Sequence, residues 1–169
     1  MFITYFCYRC KCKTFGVISL EEFSTGLASF KADTVSQVKS HIITIKGDLL
    51  DITTSDFKNY YYFLFEYFMQ SKTKKLLDFD YVESQFNSLF GNQFKLVKTF
   101  LEWYVIVKKK EAMKQDQWNC FLNLLMKIGD NFPKGYSLKD SWPTLFDEFY
   151  IDYCTKNNID MTEDDEFLA

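Results

Sequence analysis

Apolar residues recur every three or four positions along most of the chain, which is the period of a helix with one buried face. The inner faces of six predicted helices carry Leu20/Phe23/Leu27/Phe30, Val35/Val38/Ile42/Ile45, Phe79/Val82/Phe86/Leu89, Phe94/Val97/Leu101/Tyr104, Trp118/Phe121/Leu122/Leu125/Ile128 and Trp142/Leu145/Phe146/Phe149. A seventh segment, 55–71, is aromatic or apolar almost all the way round, so we expect a central helix packed on several sides. The pattern therefore predicts an all-α fold.

Small and polar residues mark where the predicted helices begin and end. Gly47 and Gly91 each follow an apolar stripe and predict a helix C-terminus. Ser19-x-x-Glu22 is a capping-box pattern, and Pro143 is expected in the first turn of the last helix, where its missing N–H costs nothing. With only 6 Gly and 2 Pro in the chain, turn signals are too few for a β-sandwich or barrel.

Length and composition limit the number of domains. A chain of 169 residues with 47% hydrophobic side chains can bury a core of its own, and 20% aromatic content indicates a core of Phe and Tyr. We predict an N-terminal lobe over residues 1–71 and a helical C-terminal lobe over 72–154. Residues 155–169 are rich in Asp and Glu, and we expect a flexible, solvated tail there.

The segment 11–22 has the frame of the calcium loop of an EF-hand. Gly16 stands at the sixth position and Glu22 at the twelfth, but Lys11, Lys13 and Phe15 occupy the first, third and fifth, where calcium needs oxygen ligands. One interpretation is an EF-hand-like turn that binds no calcium. The other is a plain loop that ends in the capping box, and both predict the same helix start.

The net charge argues against nucleic acid and the short apolar runs argue against a membrane. At a formal charge of -3 and a pI near 5.2, no overall positive field attracts phosphates. The apolar runs are far shorter than the ~20 residues that a membrane-spanning helix needs. No signal sequence is evident at the N-terminus, so we expect a cytoplasmic or nuclear protein.

Residues for catalysis or metal binding are scarce. The chain has a single histidine, His41, and no motif of a nucleophilic or phosphate-binding enzyme, so we predict neither catalysis nor a cofactor. Cys7, Cys10 and Cys12 are close enough in sequence to share one zinc ion, but the remaining ligands are missing, and reduced thiols are the simpler interpretation.

The motif DxWN at 116–119 and the motif WPxLxDxF at 142–149 resemble the C-terminal signature of the defective-in-cullin-neddylation family, whose domain is called potentiating neddylation (PONY). The likeness extends back to about residue 3 and ends near residue 153. The resemblance implies a two-lobed helical domain with an EF-hand-like N-terminal lobe. It also implies a non-catalytic, scaffold-type accessory ligase in the pathway that attaches a ubiquitin-like modifier to cullins.

The resemblance implies two partners. One is the C-terminal winged-helix domain of a cullin, and the other is the charged conjugating enzyme, whose acetylated N-terminal methionine the family binds. A scaffold that holds both raises the rate by proximity and orientation, and therefore needs no catalytic residue of its own.

The resemblance assigns the cullin-binding patch to Asp116, Ser141 and Asp147. Both aspartates match the family's Asp, Ala, Asp pattern, and a serine replaces the alanine. Acidic side chains facing a basic cullin surface raise association rate and specificity more than affinity. From the residues alone, Asp116 as a helix N-cap and Asp147 as a solvated helix residue are the alternatives, and we expect both side chains to be exposed.

The resemblance also assigns a pocket for the methionine of the conjugating enzyme to Ile3, Phe6, Ile18 and Tyr67, with ordinary core packing as the alternative for each. The family's further N-terminal helices are not in this sequence, so we expect part of the pocket wall to differ. Two other functions stay open: an EF-hand-like adaptor that binds an amphipathic peptide without calcium, and a zinc-dependent module built on the three N-terminal cysteines.

Overall fold

The described part of the chain is mainly helical, and the all-α prediction is confirmed. The computed structural model describes residues 1–69, 73, 75–91 and 93–161. The helices are α1 (Phe2–Arg9), α2 (Leu20–Ser29), α3 (Val35–Thr44), α4 (Lys46–Leu49), α5 (Ser55–Phe68), α6 (Phe79–Phe90), α7 (Lys95–Val107), α8 (Gln115–Lys127) and α9 (Thr144–Asn157). Strands β1 (Leu76–Leu77) and β2 (Met113–Lys114) pair antiparallel, with Leu76 opposite Lys114.

Two compact units make up the chain, Met1–Lys74 and Lys75–Ala169. The first unit contains α1 to α5, and the second contains the two strands and α6 to α9. The predicted lobe boundary at residues 71 and 72 lies outside the described residues. Within the described ranges, no helix has both the length and the apolar character that crossing a membrane requires.

Helix α5 buries more side chains than any other described helix of the first unit, in line with its aromatic sequence. Its buried side chains are Phe57, Tyr60, Tyr61, Leu64, Phe65, Tyr67 and Phe68. At its first turn, the Asp56 carboxylate accepts hydrogen bonds from the Tyr5 hydroxyl at 2.8 Å and the Tyr8 hydroxyl at 3.1 Å. These bonds fix α1 against the start of α5, because a carboxylate is a strong acceptor for two neighbouring hydroxyls.

Helix α1 lies close to α2 at a glycine. Gly26 of α2 is buried, and a Cβ added there would overlap the Sγ of Cys10. The predicted capping box at the start of α2 is confirmed: Ser19 Oγ accepts from Glu22 N, and Glu22 Oε2 accepts from Ser19 N at 2.8 Å. Glu22 Oε1 also accepts from Lys13 N, so the loop before α2 closes on the same carboxylate.

The loop between α1 and α2 keeps a glycine where the calcium-loop frame has one. Gly16 has φ +74°, a left-handed conformation that an L side chain rarely adopts, and its N–H donates to the Tyr67 hydroxyl at 3.3 Å. The resemblance of this turn to an EF-hand stays a prediction.

Aromatic rings fill the core of the second unit. Phe121 of α8 stacks on Phe86 of α6 with ring centroids 4.2 Å apart, and it also contacts Phe100 of α7 and Phe146 of α9. One buried ring therefore contacts all of the other three helices. Offset ring pairs of this kind add to the stabilisation that burial provides.

Polar side chains support this packing from two positions. Asp130 Oδ1 accepts from the backbone N–H of Leu96 at 3.0 Å, which satisfies a donor in the first turn of α7. The Trp103 indole N–H donates to Asp152 at 2.8 Å and connects α7 with α9.

Three details differ from the sequence predictions. Leu20 and Val35 are 82% and 50% exposed although both fall on predicted inner faces, because each is the first residue of its helix, next to a loop. Gly47 does not end a helix but lies inside α4, since the chain re-enters a helix after Ile45.

The last helix also differs from its prediction. Trp142 precedes α9, and Pro143 is its N-cap and not a first-turn residue. The helix extends through Asn157, so the first residues of the predicted tail, 155–157, are helical. Residues 158–161 follow outside the helix, and residues 162–169 lie outside the described residues.

The contact between α1 and α2 predicts the effect of two glycine substitutions. Gly26→Ala is expected to lower the free energy of unfolding by about 1–3 kcal/mol, because the new methyl group collides with Cys10. Gly47→Ala is the matched control: no atom lies within 4 Å of its added Cβ, so it is expected to be neutral or stabilising by up to about 1 kcal/mol. Urea unfolding measures both, and an equal effect of the two would contradict the close approach.

Candidate functional site

Asp116 lies in the first turn of α8 with its side chain exposed. It is not the N-cap, because Lys114 holds that position and the Gln117 side chain accepts from the Lys114 N–H at 2.9 Å. The alternative N-cap role of Asp116 is therefore wrong. A negative charge in this turn is favourable next to the positive end of the helix dipole, and it faces solvent.

Residues at the starts of α8 and α9 line one cleft of about 230 Å³. Its lining includes Gln117, next to Asp116, and Thr144, Leu145 and Glu148, which flank Asp147. Glu148 forms an ion pair with Lys108 at the end of α7. The two helical turns that carry the candidate aspartates thus border one cleft.

Ser141 is exposed in the loop before α9. The residues before and after it, Asp140 and Trp142, both contact other parts of the second unit. Asp140 on one side forms an ion pair with Lys127 Nζ at 2.6 Å. Trp142 on the other side stacks on Tyr136, with ring centroids 5.9 Å apart, and the Lys127 ammonium lies 5.5 Å from its ring centroid. Since Lys127 is in the last turn of α8 and α9 begins beside the first, the segment 141–143 runs along α8.

Asp147 is half-buried, contrary to the expectation of an exposed side chain. Its Oδ1 accepts a 2.6 Å hydrogen bond from the hydroxyl of Tyr136, a residue that is only 4% exposed. Burial raises the pKa of the Asp147 carboxyl, the Tyr136 bond opposes that rise, and the neighbouring Glu148 adds to it. Packing of α9 against the Tyr136 loop turns this residue inward and gives it a structural bond.

The three predicted patch residues make no direct contact that the structure describes, and the assignment of the patch stays a prediction. The cleft joins the turns of Asp116 and Asp147, while Tyr136 joins Asp147 to the neighbour of Ser141. Sequence reasoning missed the contributions of Tyr136 and of the Lys127–Asp140 pair. No helical period signals them, because each contact links a residue of the loop to a flanking helix across 11 or 13 positions.

The four residues assigned to the conjugating-enzyme pocket divide into two classes. Phe6 and Tyr67 are both 8% exposed, whereas Ile3 and Ile18 are 72% and 39% exposed. Phe6 packs against Phe23 and Phe30. Tyr67 packs against other rings, those of Phe15 and Phe63. Core packing thus describes the two aromatic residues, and only the two isoleucines offer their side chains to a partner.

The three N-terminal cysteines are buried thiols. Burial raises the pKa of Cys10 to about 11 and that of Cys12 to about 12, so the thiolates that zinc binds are disfavoured. The described part of the chain contains no group of three or more His, Cys, Asp or Glu side chains arranged to hold a metal ion.

Comparison with protein families gives a match to the family described as "Cullin binding" over residues 37–152, more than half of the chain. The range includes Asp116, Ser141, Asp147 and Tyr67, and it excludes Ile3, Phe6 and Ile18. The second unit and its candidate patch therefore carry most of the match.

Curated relatives carry names from the same family. DCN1-like protein 5 of Rattus norvegicus is 28% identical over 142 residues, which cover 84% of this chain and 58% of the relative. Defective in cullin neddylation protein 1 of Caenorhabditis elegans is 23% identical over 158 residues, covering 82% of this chain and 52% of the relative. The chain spans about half the length of these relatives.

The different environments of the two aspartates predict different effects on stability. Asp147→Lys is expected to lower the free energy of unfolding by about 1–3 kcal/mol, because it leaves the buried Tyr136 hydroxyl without its acceptor. Asp116→Lys is expected to cost less than about 1 kcal/mol, the effect of reversing a charge at a helix start. Urea unfolding at neutral pH measures both, and equal losses would contradict the assigned contacts.

Proposed function

This chain belongs to the cullin-binding family, the family of the defective-in-cullin-neddylation proteins, and we propose that it is a scaffold-type accessory ligase for cullin neddylation. In this proposal it binds the C-terminal winged-helix domain of a cullin and the charged conjugating enzyme together. The chain itself contributes no catalytic residue. Transfer of the modifier becomes faster because the cullin lysine and the thioester meet more often and in a better orientation.

The observation that carries the proposal is the arrangement of Asp116, Ser141 and Asp147 in the second unit. All three lie within the range that matches the family: Asp116 in the first turn of α8, Ser141 in the loop before α9, and Asp147 in the first turn of α9. Asp116 is exposed and does not cap its helix, so its carboxylate is accessible to a partner while its charge favours the helix dipole. A basic surface on the cullin is the complement that such a patch requires.

The patch combines two kinds of carboxylate. Asp116 projects into solvent, where its attraction to a basic partner extends over about one Debye length of ~8–10 Å and weakens with salt. Asp147 is half-buried and held by Tyr136, so its oxygens are fixed before the partner arrives. We therefore assign association rate mainly to Asp116 and orientation mainly to Asp147.

The conjugating enzyme is assigned to the first unit. Ile3 and Ile18 are exposed there, and Phe15, Val17 and Leu20 add apolar surface in the loop between α1 and α2 and at the start of α2. An acetylated N-terminal methionine is apolar and uncharged, which suits a surface of this composition. Phe6 and Tyr67 support this surface from the core and do not contact the methionine in this proposal.

For cullin binding, the proposal predicts that Asp116→Lys weakens the affinity for a cullin winged-helix domain at least about tenfold, because a cation replaces the anion that faces a basic surface. Asp80→Lys is the matched control, since Asp80 is likewise exposed in the first turn of a helix, α6. Isothermal titration calorimetry against a panel of cullin winged-helix domains measures both. Unchanged binding by Asp116→Lys to every domain that the unmodified chain binds would contradict the patch.

For the conjugating enzyme, the proposal predicts that Ile18→Ser weakens binding of an acetylated N-terminal peptide of the enzyme by about five- to tenfold and leaves cullin binding unchanged. Ile43→Ser is the control, because Ile43 is 62% exposed on α3. Fluorescence anisotropy with a labelled peptide gives both affinities. If the two variants lose affinity equally, the assignment of the peptide to Ile18 is wrong.

A further inference from the structure

We propose that Tyr136 is a positioning residue of the cullin-binding patch, which its ring and its hydroxyl hold together at two points. The proposal rests on the proposed function, because it concerns how the patch presents Asp147 and Ser141 to the cullin. Tyr136 itself lies under the patch with only 4% of its surface exposed, so it acts through its neighbours.

The hydroxyl of Tyr136 fixes the orientation of Asp147. It donates a hydrogen bond of 2.6 Å to Oδ1, the short distance typical of a bond to a carboxylate. An aspartate side chain on a helix otherwise rotates among several rotamers. With Oδ1 engaged by Tyr136, the carboxylate is held in one orientation.

The ring of Tyr136 fixes the segment that carries Ser141. It stacks on Trp142 at 5.9 Å with an interplanar angle of 18°, and on Tyr150 at 4.8 Å with an angle of 23°. Phe132 contacts it edge-on at 5.8 Å. Three aromatic neighbours leave the ring little freedom, so the position of the hydroxyl is set by the core.

A single side chain thereby sets the spacing between two patch residues that belong to different elements. Trp142 directly follows Ser141 in the loop, and Asp147 is in the first turn of α9. A shift of the Tyr136 ring would move Trp142 and the Asp147 carboxylate together. The Lys127–Asp140 ion pair holds the other side of Ser141.

The charged groups around Asp147 make the hydroxyl bond visible in a pH profile. Glu148 lies beside it on α9 and is itself paired with Lys108 of α7, and Asp116 belongs to the facing turn of α8. Burial and the charge of Glu148 raise the pKa of Asp147, whereas the hydrogen bond from Tyr136 lowers it. Removing that bond therefore raises the pKa of Asp147 further, and its carboxylate is neutralised at a higher pH.

The test compares Tyr136→Phe with the unmodified chain. Phenylalanine keeps the ring stacking and removes only the hydroxyl. Binding of a cullin winged-helix domain is measured by calorimetry from about pH 4 to 8, with thermal melting of each variant at each pH as the folding control. Tyr153→Phe is the matched control. Tyr153 lies on α9, the helix that carries Asp147, and packs on Phe132 as Tyr136 does, but it is not part of the patch.

The proposal expects Tyr136→Phe to bind the cullin domain about fivefold more weakly near neutral pH, because the variant lacks the hydrogen bond that orients the Asp147 carboxylate. It also expects the acidic loss of binding to begin at a higher pH than in the unmodified chain, while Tyr153→Phe changes neither quantity. The same affinity and the same pH profile in Tyr136→Phe and the unmodified chain would overturn it. Absence of binding by the unmodified chain would instead overturn the proposed function.

A readout without the cullin separates the two proposals. Titration of the Asp147 carboxyl carbon by NMR is expected to give a higher pKa in Tyr136→Phe than in the unmodified chain, and an equal pKa overturns the positioning role. If Tyr136→Phe does not fold, the Tyr136 Cζ resonance of the unmodified chain is followed instead. It is expected to shift as the Asp147 carboxyl titrates, because the hydroxyl donates to that carboxylate, and an unchanged resonance overturns the positioning role.

Discussion

Ring packing around Phe121 is the interaction on which the second unit depends. Phe121 contacts an aromatic ring from each of the three other helices, Phe86, Phe100 and Phe146, and all four rings are fully buried. Aromatic side chains bury large areas in defined geometries, so this cluster sets both the distance and the rotation of α8 relative to α9. Residues at the starts of those two helices line one cleft as a consequence, and Asp116 and Asp147 belong to the first turns of the same two helices. The core thus determines where the acidic residues lie, although none of them belongs to it.

The two aspartates of the candidate patch have different environments. Asp116 is exposed at a helix start, where its charge is favourable for the helix dipole and available to a partner. Asp147 is half-buried and bonded to Tyr136, which costs desolvation and fixes its carboxylate. Lys127 and Asp140 neutralise each other beside Ser141. The side chains that surround the patch therefore hold its shape, and the two aspartates supply its charge.

Sequence reasoning predicted the fold class and the main helices, because apolar periodicity reflects local burial. It was less reliable at the ends of helices, where burial depends on what packs nearby: Leu20 and Val35 are exposed, and Trp142 lies outside α9. The resemblance named Asp116, Ser141 and Asp147 as the patch, but the expectation from the residues alone that Asp147 is exposed was wrong, because its side chain is half-buried. The bond to Tyr136 joins residues that no helical period relates, and only the folded chain reveals it. For the same reason Phe6 and Tyr67 could not be distinguished from Ile3 and Ile18 before their burial was known.

The central claim is that a cullin binds the second unit where α8 and α9 begin. Hydrogen–deuterium exchange of the whole chain, with and without a saturating cullin winged-helix domain, tests it most directly. The account predicts slower exchange in the first turn of α8, in the segment 137–143 and in the first turn of α9. It also predicts unchanged exchange in α2 and α3 of the first unit. Protection confined to the first unit, with none at these three segments, would contradict it.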